Sequence, residues 1–430
     1  MKIQTLVRTA VFFCLVAIGA RAMAAEPIEV VFEIDAGKHE RVNGPVCVPI
    51  TLNIKPGEVK AAMVRDAAGR LPAQVTALGL RSNGGGANAE LHFIVPRLDA
   101  GEKRRFRARI LTDEDPVAHL PRFQWRDEPG KQTELTLRSS SYAVQSDGRR
   151  ERPVLRYMYE KLDTSSAARR DETIKPFHHV FDPEGDALIT KGPGGKYTHH
   201  RGLFFGFNKV IYDGNKPADV WHCRNGESQQ HVEFLAQEAG PVLGRHRMKI
   251  EWRGRQDDVF AIEERELTAY NTPRGTLIEF ASRVETTGGE VKLDGDPQHA
   301  GFHFRASNEV SEKTAKQTHY QRPDGQGKPG ETRNWPGHKR HVDLPWNAMS
   351  FVVGGQRFTA LYLDQPTNPK QARFSERDYG RFGSYFEYTV TKDKPLEVSY
   401  RVWVQRGELS GEEAQLRDNN FDEPVQITVQ

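Results

Sequence analysis

Short segments in which apolar and polar residues alternate recur along most of the chain. Four of them near the beginning are residues 28–32, 46–50, 61–64 and 91–95. A period of two is typical of β-strands that bury one face, and turn pairs such as Pro56-Gly57 separate the segments. Strands of this length and spacing predict a small antiparallel β-sandwich over residues 25–116, which ends in the polar stretch 112–116.

The remainder of the chain, residues 117–430, repeats this pattern on a larger scale. Its predicted strands are residues 155–159, 203–210, 247–252, 276–284, 302–305, 358–363, 385–390 and 398–404. Few windows have helical spacing, and the one clear helix start is the capping box of Ser410 and Glu413. The polar segments 164–173 and 312–334 are predicted to be exposed loops. Without an internal repeat of propeller-blade length, the chain fits an all-β fold in which a large antiparallel sandwich follows the small one.

The first 24 residues have the composition of an export signal. Lys2 and Arg8 precede an apolar run over residues 9–20, and the small residues 22–24 follow. We therefore expect a signal peptide over residues 1–24 and a mature protein that is periplasmic or secreted. The apolar run is shorter than the roughly 20 residues that cross a bilayer, so no membrane span is expected.

The charge of the chain changes when this segment is removed. The full chain has 61 Lys and Arg against 58 Asp and Glu, and the signal contributes Lys2, Arg8 and Arg21 but no acidic residue. Subtracting three leaves 58 basic residues, so the mature chain is formally neutral. A neutral chain has no excess of basic residues for a polyanion, and we expect no nucleic-acid partner.

Histidine is the residue type that points to chemistry in this chain. Six of the 15 histidines fall within a short stretch, namely His178, His179, His199, His200, His222 and His231. His199, His200 and Arg201 stand at the entrance to an apolar segment. In an extended chain His199 and Arg201 would share one face and His200 the other.

A second segment repeats the combination of histidine and arginine. His299 precedes a strand in which His303 and Arg305 share one face, while Phe302 and Phe304 face the core. Imidazole exchanges protons near neutral pH, and guanidinium binds oxygen atoms in a fixed fork. The pattern predicts an oxygen-rich ligand, partly anionic or polyhydroxylated.

Histidines are also ligands for divalent metals. Nitrogen ligands are available from His199, His200, His222 and His303, but the chain has neither His-Glu-x-x-His nor paired Cys-x-x-Cys spacing. A divalent metal therefore stays an open alternative. Carboxylates for acid–base work are numerous, and the sequence does not select a pair among Asp219, Glu264, Glu279, Asp296 and Glu387.

Several histidine-containing segments also support a family resemblance. Residues 176–178, 199–206, 299–305, 368–369 and 377–383 resemble an uncharacterised family of secreted bacterial proteins that is labelled methane oxygenase PmoA-like. The resemblance covers most of residues 150–408 and implies a large β-sandwich of the galactose-mutarotase type. It also implies a role among proteins that handle plant or algal sugars. The chain departs from the usual Asp-His-Pro-His-His-Arg-Gly motif because Lys196, Tyr197 and Thr198 precede the histidine pair.

These features predict an exported carbohydrate-active protein that binds a saccharide or sugar derivative. The predicted catalytic residues, which would transfer protons in an epimerase, lyase or hydrolase reaction, are His199, His200 and His303. The predicted substrate-binding residues are Arg201, Trp221, His222, His299, Arg305 and Arg377. Two alternatives stay open: a non-catalytic envelope module that binds a glycan or a protein, and a metal-dependent oxygenase.

Overall fold

The computed structural model describes residues 26–82, 85–140, 148 and 150–430. The predicted signal peptide, residues 1–24, lies outside the described residues. Strands dominate the described chain, so the all-β fold class is confirmed. The helical segments described are the α-helices Ala167–Thr173 and Gly411–Asp422, the 3-10 turns Pro56–Glu58 and Ala315–Gln317, and the π-helical turn Val310–Thr314. None of these described segments is long and apolar enough to cross a lipid bilayer.

An antiparallel sheet at the beginning of the chain encloses its own core. Its strands lie in the spatial order Arg41–Ile50, Ala89–Leu98, Arg70–Thr76, Ala61–Arg65, Lys103–Leu111, Ile28–Asp35 and Gln426–Val429. Alternation decides the faces, since Val46, Val48 and Ile50 are buried while Cys47 and Pro49 are exposed. The last strand of the chain pairs with the first, so the C-terminus returns to this sheet. The domain division at residue 116 stays a prediction.

Two larger antiparallel sheets pack face to face as a sandwich. One runs in the order Arg373–Arg377, Arg381–Tyr385, Ala300–Arg305, Leu203–Phe207, Phe177–Val180, Glu151–Met158, Gln132–Arg138 and Arg122–Glu128. The other runs in the order Ser228–Ala239, Leu243–Arg253, Val259–Thr272, Gly275–Thr286, Leu396–Arg406, Gln356–Asp364, Trp346–Val353, His319–Arg322 and Gly325–Gln326. Their inner faces share a core in which Phe280 stacks on Phe302 with ring centroids 4.2 Å apart.

A small antiparallel sheet forms a separate surface of the molecule. Its strands lie in the order Lys216–Ala218, Lys209–Tyr212, Val291–Asp294 and Tyr388–Val390. Val210, Leu293 and Val390 point into the sandwich core, so their polar neighbours face outward.

The helix starts show where local sequence signals were sufficient. The predicted capping box is confirmed, since the Ser410 hydroxyl accepts from the Glu413 N–H at 3.1 Å and the Glu413 carboxylate accepts from the Ser410 N–H at 3.1 Å. The prediction of a loop over residues 164–173 is wrong in part, because Ser166 caps the helix Ala167–Thr173. Seven mostly polar residues are too few to show an apolar stripe. The predicted loop over residues 312–334 likewise contains helical turns and short strands.

A group of buried histidines lies inside the sandwich. The Nε2 atoms of His178 and His246 are 2.8 Å apart, and Tyr157 and Trp125 stack on the two rings. Burial lowers the pKa of His246 to about 3 and holds the pKa of His178 well below its usual value. Burial also lowers the pKa of His179 to about 3. These imidazoles are therefore neutral in the folded protein at neutral pH.

We expect the free energy of unfolding to fall as the pH drops below 6.5, because unfolded histidines take up protons that the buried ones exclude. Each fully shifted histidine destabilises the fold by about 1.4 kcal/mol per pH unit between its unfolded and folded pKa values. Urea unfolding at about pH 7.5 and pH 5 in EDTA measures the change. His246→Gln should reduce the loss, whereas substitution of the exposed His338 by alanine should not. Equal stability at both pH values would contradict the prediction.

Candidate metal centre

Two neighbouring strands of the sandwich position the histidine segments. Leu203–Phe207 pairs with Ala300–Arg305 in an antiparallel register that places Phe204 opposite His303. Phe302 belongs to the sandwich core, so His303 lies on the opposite face of the sheet. This outer face is where the loops that precede the two strands meet.

Four imidazole rings come together against this outer face. The ring centroids of His199 and His222 are 4.5 Å apart, and those of His222 and His299 are 4.6 Å apart. His200 lies 4.4 Å from His199 and stacks on His299 at 5.2 Å. Histidines from three segments that are distant in sequence therefore form one cluster.

The predicted separation of His199 and His200 onto opposite faces is wrong. Residues 196–199 form a turn in which Tyr197 has a positive φ of 60°, and the strand begins only at Leu203. Side chains alternate between faces only in extended backbone, so the rule does not apply before Leu203. Both rings consequently lie on the same side.

Two carboxylates hold His222 and His299 through the same local motif. Asp219 accepts from the His222 N–H at 2.7 Å and from its ring Nδ1 at 2.8 Å. Asp296 accepts from the N–H of Gln298 at 2.9 Å and from Nδ1 of His299 at 3.0 Å. Each Asp lies three residues before its His, so the carboxylate closes a turn and orients the ring. A carboxylate can only accept, so Nδ1 carries a proton, and Nε2 is the nitrogen that offers a lone pair when the ring is neutral.

The protonation states of these groups suit metal binding. Burial alone would raise the pKa of Asp219 and Asp296, but hydrogen bonds from His222 and His299 lower both values. Both aspartates are therefore ionised. Burial, followed by the electrostatic effect of the neighbouring His222 ring, lowers the pKa of His199 to about 2. A neutral imidazole with an available lone pair is the form that binds a metal.

His199, His222 and His299 have the arrangement of a three-histidine metal site. One ring nitrogen from each lies within 4.8 Å of the other two. The Nε2 atom of His199 is buried and has no hydrogen-bond partner among the described residues. Imidazole nitrogen suits Zn²⁺ and other divalent transition metals, and a carboxylate on the second ring nitrogen is the usual support for such ligands. Three protein ligands leave a position for water or substrate.

A buried lysine joins the two loops that carry His199 and His222. The Nζ atom of Lys175 donates to the carbonyl oxygen of His199 at 2.9 Å and to that of Trp221. Its ammonium also lies 4.0 Å from the ring centroid of Phe204. Burial lowers the pKa of Lys175 to about 7. One side chain therefore holds two separate segments in register.

A second buried lysine shapes the turn before His199. The Nζ atom of Lys191 donates to three carbonyl oxygens of this turn, those of Gly194 at 2.7 Å, Lys196 at 3.3 Å and Tyr197 at 3.1 Å. Burial lowers the pKa of Lys191 to about 7. These bonds stabilise a loop that belongs to no sheet.

The residues of the candidate centre all lie within a region that matches a known sequence family. Residues 142–417 match the family of unknown function DUF6807, which is more than half of the chain. The chain belongs to the DUF6807 family. The matched region contains all three candidate ligands, both aspartates and both lysines. No curated protein matches the chain.

The other predicted site residues of the DUF6807 region form a wall behind the three ligands. His200 and His303 are each 2% exposed, and Trp221 is 1% exposed. The Trp221 ring lies 4.8 Å from His303 and 5.7 Å from His200. The catalytic roles of His200 and His303 stay predictions, and their position is behind the triad rather than on its open side.

The predicted substrate-binding arginines contact protein groups. Arg201 is fully buried and donates to the carbonyl oxygens of Asp171 and Glu172 near the end of a helix. Arg305 donates to the Tyr379 carbonyl, and Arg377 donates to the side chain of Asn334. Tyr379 links Arg305 to the histidines, because it accepts a hydrogen bond from Arg305 and its ring centroid lies 6.4 Å from that of His200. Substrate binding by these arginines stays a prediction.

The sequence pattern included Asp219 and Asp296 among several candidate carboxylates but did not distinguish them from the rest. It gave no indication of some other residues of the centre. Asp219 and Asp296 were two of many carboxylates, although the twice-repeated Asp-x-x-His spacing was a usable signal. Lys175 and Lys191 had no such signal, because their partners are carbonyl oxygens that exist as a set only in the folded loops. Arg381, which donates to Nδ1 of His303 at 3.2 Å, was also missed.

A groove that exposes both polar and apolar side chains adjoins the candidate centre. It has a volume of about 1000 Å³ and extends along the small sheet. Asn208 and Asp219 line it, and both also support the centre, since Asn208 donates to Asp296 at 2.8 Å. The groove also presents Lys209, Lys292 and Asp294, which suits a hydrophilic ligand.

We expect Lys175→Met to loosen both loops, because two carbonyl oxygens lose a buried donor. Hydrogen exchange followed by mass spectrometry should show residues 196–200 and 219–223 exchanging roughly tenfold faster or more. Lys209→Met, which changes an exposed lysine, is the matched control and should leave both segments unchanged. Unaltered exchange in Lys175→Met would contradict the assigned role of this ammonium.

Proposed function

We propose that this protein is an exported, metal-dependent enzyme that acts on a saccharide or sugar derivative. The observation that supports it most directly is the convergence of His199, His222 and His299, with two rings anchored by carboxylates. The side chains of Asn208, Lys292 and Asp294 in the adjoining groove support a substrate with hydroxyl groups. The expected export follows from the composition of residues 1–24.

The protein groups divide the work between holding a metal and holding the substrate. His199, His222 and His299 would bind a divalent cation such as Zn²⁺, which would supply Lewis acidity and an acidified water. Asp219 and Asp296 keep two of these rings in the correct tautomer and orientation. In this proposal His199 is a ligand and not the proton carrier predicted from sequence.

The groove suggests how a saccharide would be oriented. Asn208, Lys292 and Asp294 can form hydrogen bonds with hydroxyl groups, and the ring of Tyr388 offers an apolar face. A sugar held along the small sheet would reach the centre at the end lined by Asn208 and Asp219. Hydrolysis, elimination and epimerisation are the reaction classes that combine Lewis acidity with such positioning.

The oxygenase alternative uses the same residues and differs in the metal. Three imidazoles accept iron or copper as well as zinc, so ligand type alone does not choose between them. The metal found in the purified protein decides this point. A redox-active metal would favour the oxygenase, and zinc would favour the reactions named above.

We expect the purified mature protein to retain about one equivalent of a divalent transition metal per chain, as plasma mass spectrometry would show. His222→Ala and His299→Ala should each abolish retention, because two imidazoles are too few for a stable site. Asp219→Asn should weaken metal affinity by about 10- to 100-fold through misorientation of His222. His338→Ala, at an exposed position, should match the wild type.

The enzymatic part of the proposal needs a separate assay. The metal-loaded protein is incubated with a panel of neutral, acidic and oxidised oligosaccharides, and products are sought by mass spectrometry. Product formation that EDTA abolishes and added metal restores would support it. A folded protein that binds no metal after incubation with zinc, iron or copper would overturn the proposal. Metal retention with saccharide binding but no product would instead favour the non-catalytic module.

A further inference from the structure

The wall behind the three histidines is surrounded by buried basic side chains. Four cationic side chains that are 3% exposed or less surround it, namely Lys175, Lys191, Arg305 and Arg381. Their hydrogen bonds within the described residues go to neutral groups, namely carbonyl oxygens, the Ser375 hydroxyl and His303 Nδ1, and not to a carboxylate. Burial lowers the pKa of both lysines to about 7, so the permanent charges are the guanidinium groups of Arg305 and Arg381. Buried charges are normally paired, and these two have no carboxylate partner among the described residues.

The unsatisfied polar atoms of the same wall are donors. Trp221 Nε1 is buried without a hydrogen-bond partner among the described residues, as are Arg305 Nε and Nη2 and Arg381 Nε. Indole and guanidinium nitrogens can only donate. In His303 the Nδ1 atom accepts from Arg381, so Nε2 carries the proton, and this atom is also without a described partner. Every one of these groups therefore needs an acceptor.

These donors belong to residues that contact one another. The Trp221 ring lies 4.8 Å from His303, and Arg381 is opposite Arg305 in the strand register. The Arg305 guanidinium lies 4.9 Å from the ring of Tyr379. Tyr197, which is 45% exposed, packs 5.0 Å from Tyr379 and forms the solvent side of this wall.

Arg305 leaves one particular edge of its guanidinium unused. Its Nη1 atom donates to two carbonyl oxygens, whereas Nε and Nη2 have no partner in the described chain. These two nitrogens form the edge that binds a carboxylate with two parallel hydrogen bonds. Arg322 shows that geometry in the same protein, where Nε and Nη2 donate to Glu376 at 2.8 Å and 2.6 Å.

We propose that Trp221, His303, Arg305 and Arg381 form an oxyanion subsite, and that the substrate carries a carboxylate or another small oxyanion which binds there. An anion accepts hydrogen bonds from these donors and also balances the charge of the cations. A neutral hydroxyl group can accept the hydrogen bonds but does not balance the charge. The free edge of Arg305 favours the planar carboxylate of a sugar acid. This inference rests on the proposed function and names its substrate class.

The test uses simple anions and metal-free protein, so that it does not depend on the metal or the reaction. Thermal unfolding in EDTA is compared in sodium acetate, phosphate and chloride at equal ionic strength. We expect acetate to raise the Tm by about 2 °C or more over chloride, because an anion bound only by the folded protein stabilises it. A rise with phosphate alone would assign the subsite to a phosphorylated substrate.

Two variants test whether the effect comes from this wall. Arg305→Gln should remove the acetate-dependent rise, and Trp221→Phe should reduce it while keeping the apolar packing. Trp403→Phe alters a buried tryptophan in a different apolar cluster and should leave the rise intact. Equal Tm values in all three anions would overturn the subsite, as would a rise of undiminished size in folded Arg305→Gln or Trp221→Phe. Either result leaves metal retention, and with it the proposed function, unaffected.

Discussion

The buried ammonium of Lys175 is the contact on which the candidate centre depends. A cation removed from water needs acceptors, and Lys175 finds them in the carbonyl oxygens of His199 and Trp221. These carbonyls belong to separate loops, so satisfying one charge fixes the distance between them. The rings of His199 and His222 can meet at 4.5 Å because their backbones are held in this way. Burial, which lowers the pKa of Lys175 to about 7, shows the cost of this arrangement.

The sandwich and the loops have different tasks in this protein. The paired strands Leu203–Phe207 and Ala300–Arg305 bury phenylalanine on one face and present His303 on the other, which makes a rigid floor. The loops place the ring nitrogens, and Asp219 and Asp296 orient two of them. A site assembled at loops on a rigid sheet is a common way to place chemistry on a stable fold. The DUF6807 region includes both parts.

Charge separates the two sides of the candidate centre. Carboxylates contact the Nδ1 atoms of His222 and His299, whereas Arg381 donates to Nδ1 of His303 and lies opposite the buried Arg305. A metal would be favoured on the side of the carboxylates and an anion on the side of the cations. The arrangement suits the proposed function, in which a charged substrate would be held against a Lewis acid. This is a more specific chemistry than histidine and arginine content indicated from sequence.

The sequence by itself determined the features that depend only on residues close together in the chain. It predicted the all-β class, the capping box at Ser410 and the opposite faces of Phe302 and His303, since these depend on neighbours within a few residues. The short helix Ala167–Thr173 and the return of Gln426–Val429 to the first strand had no local signal. Only the tertiary structure decided which histidines converge. Loop geometry depends on hydrogen bonds between distant residues, such as those of Lys175, and no spacing along the chain encodes them.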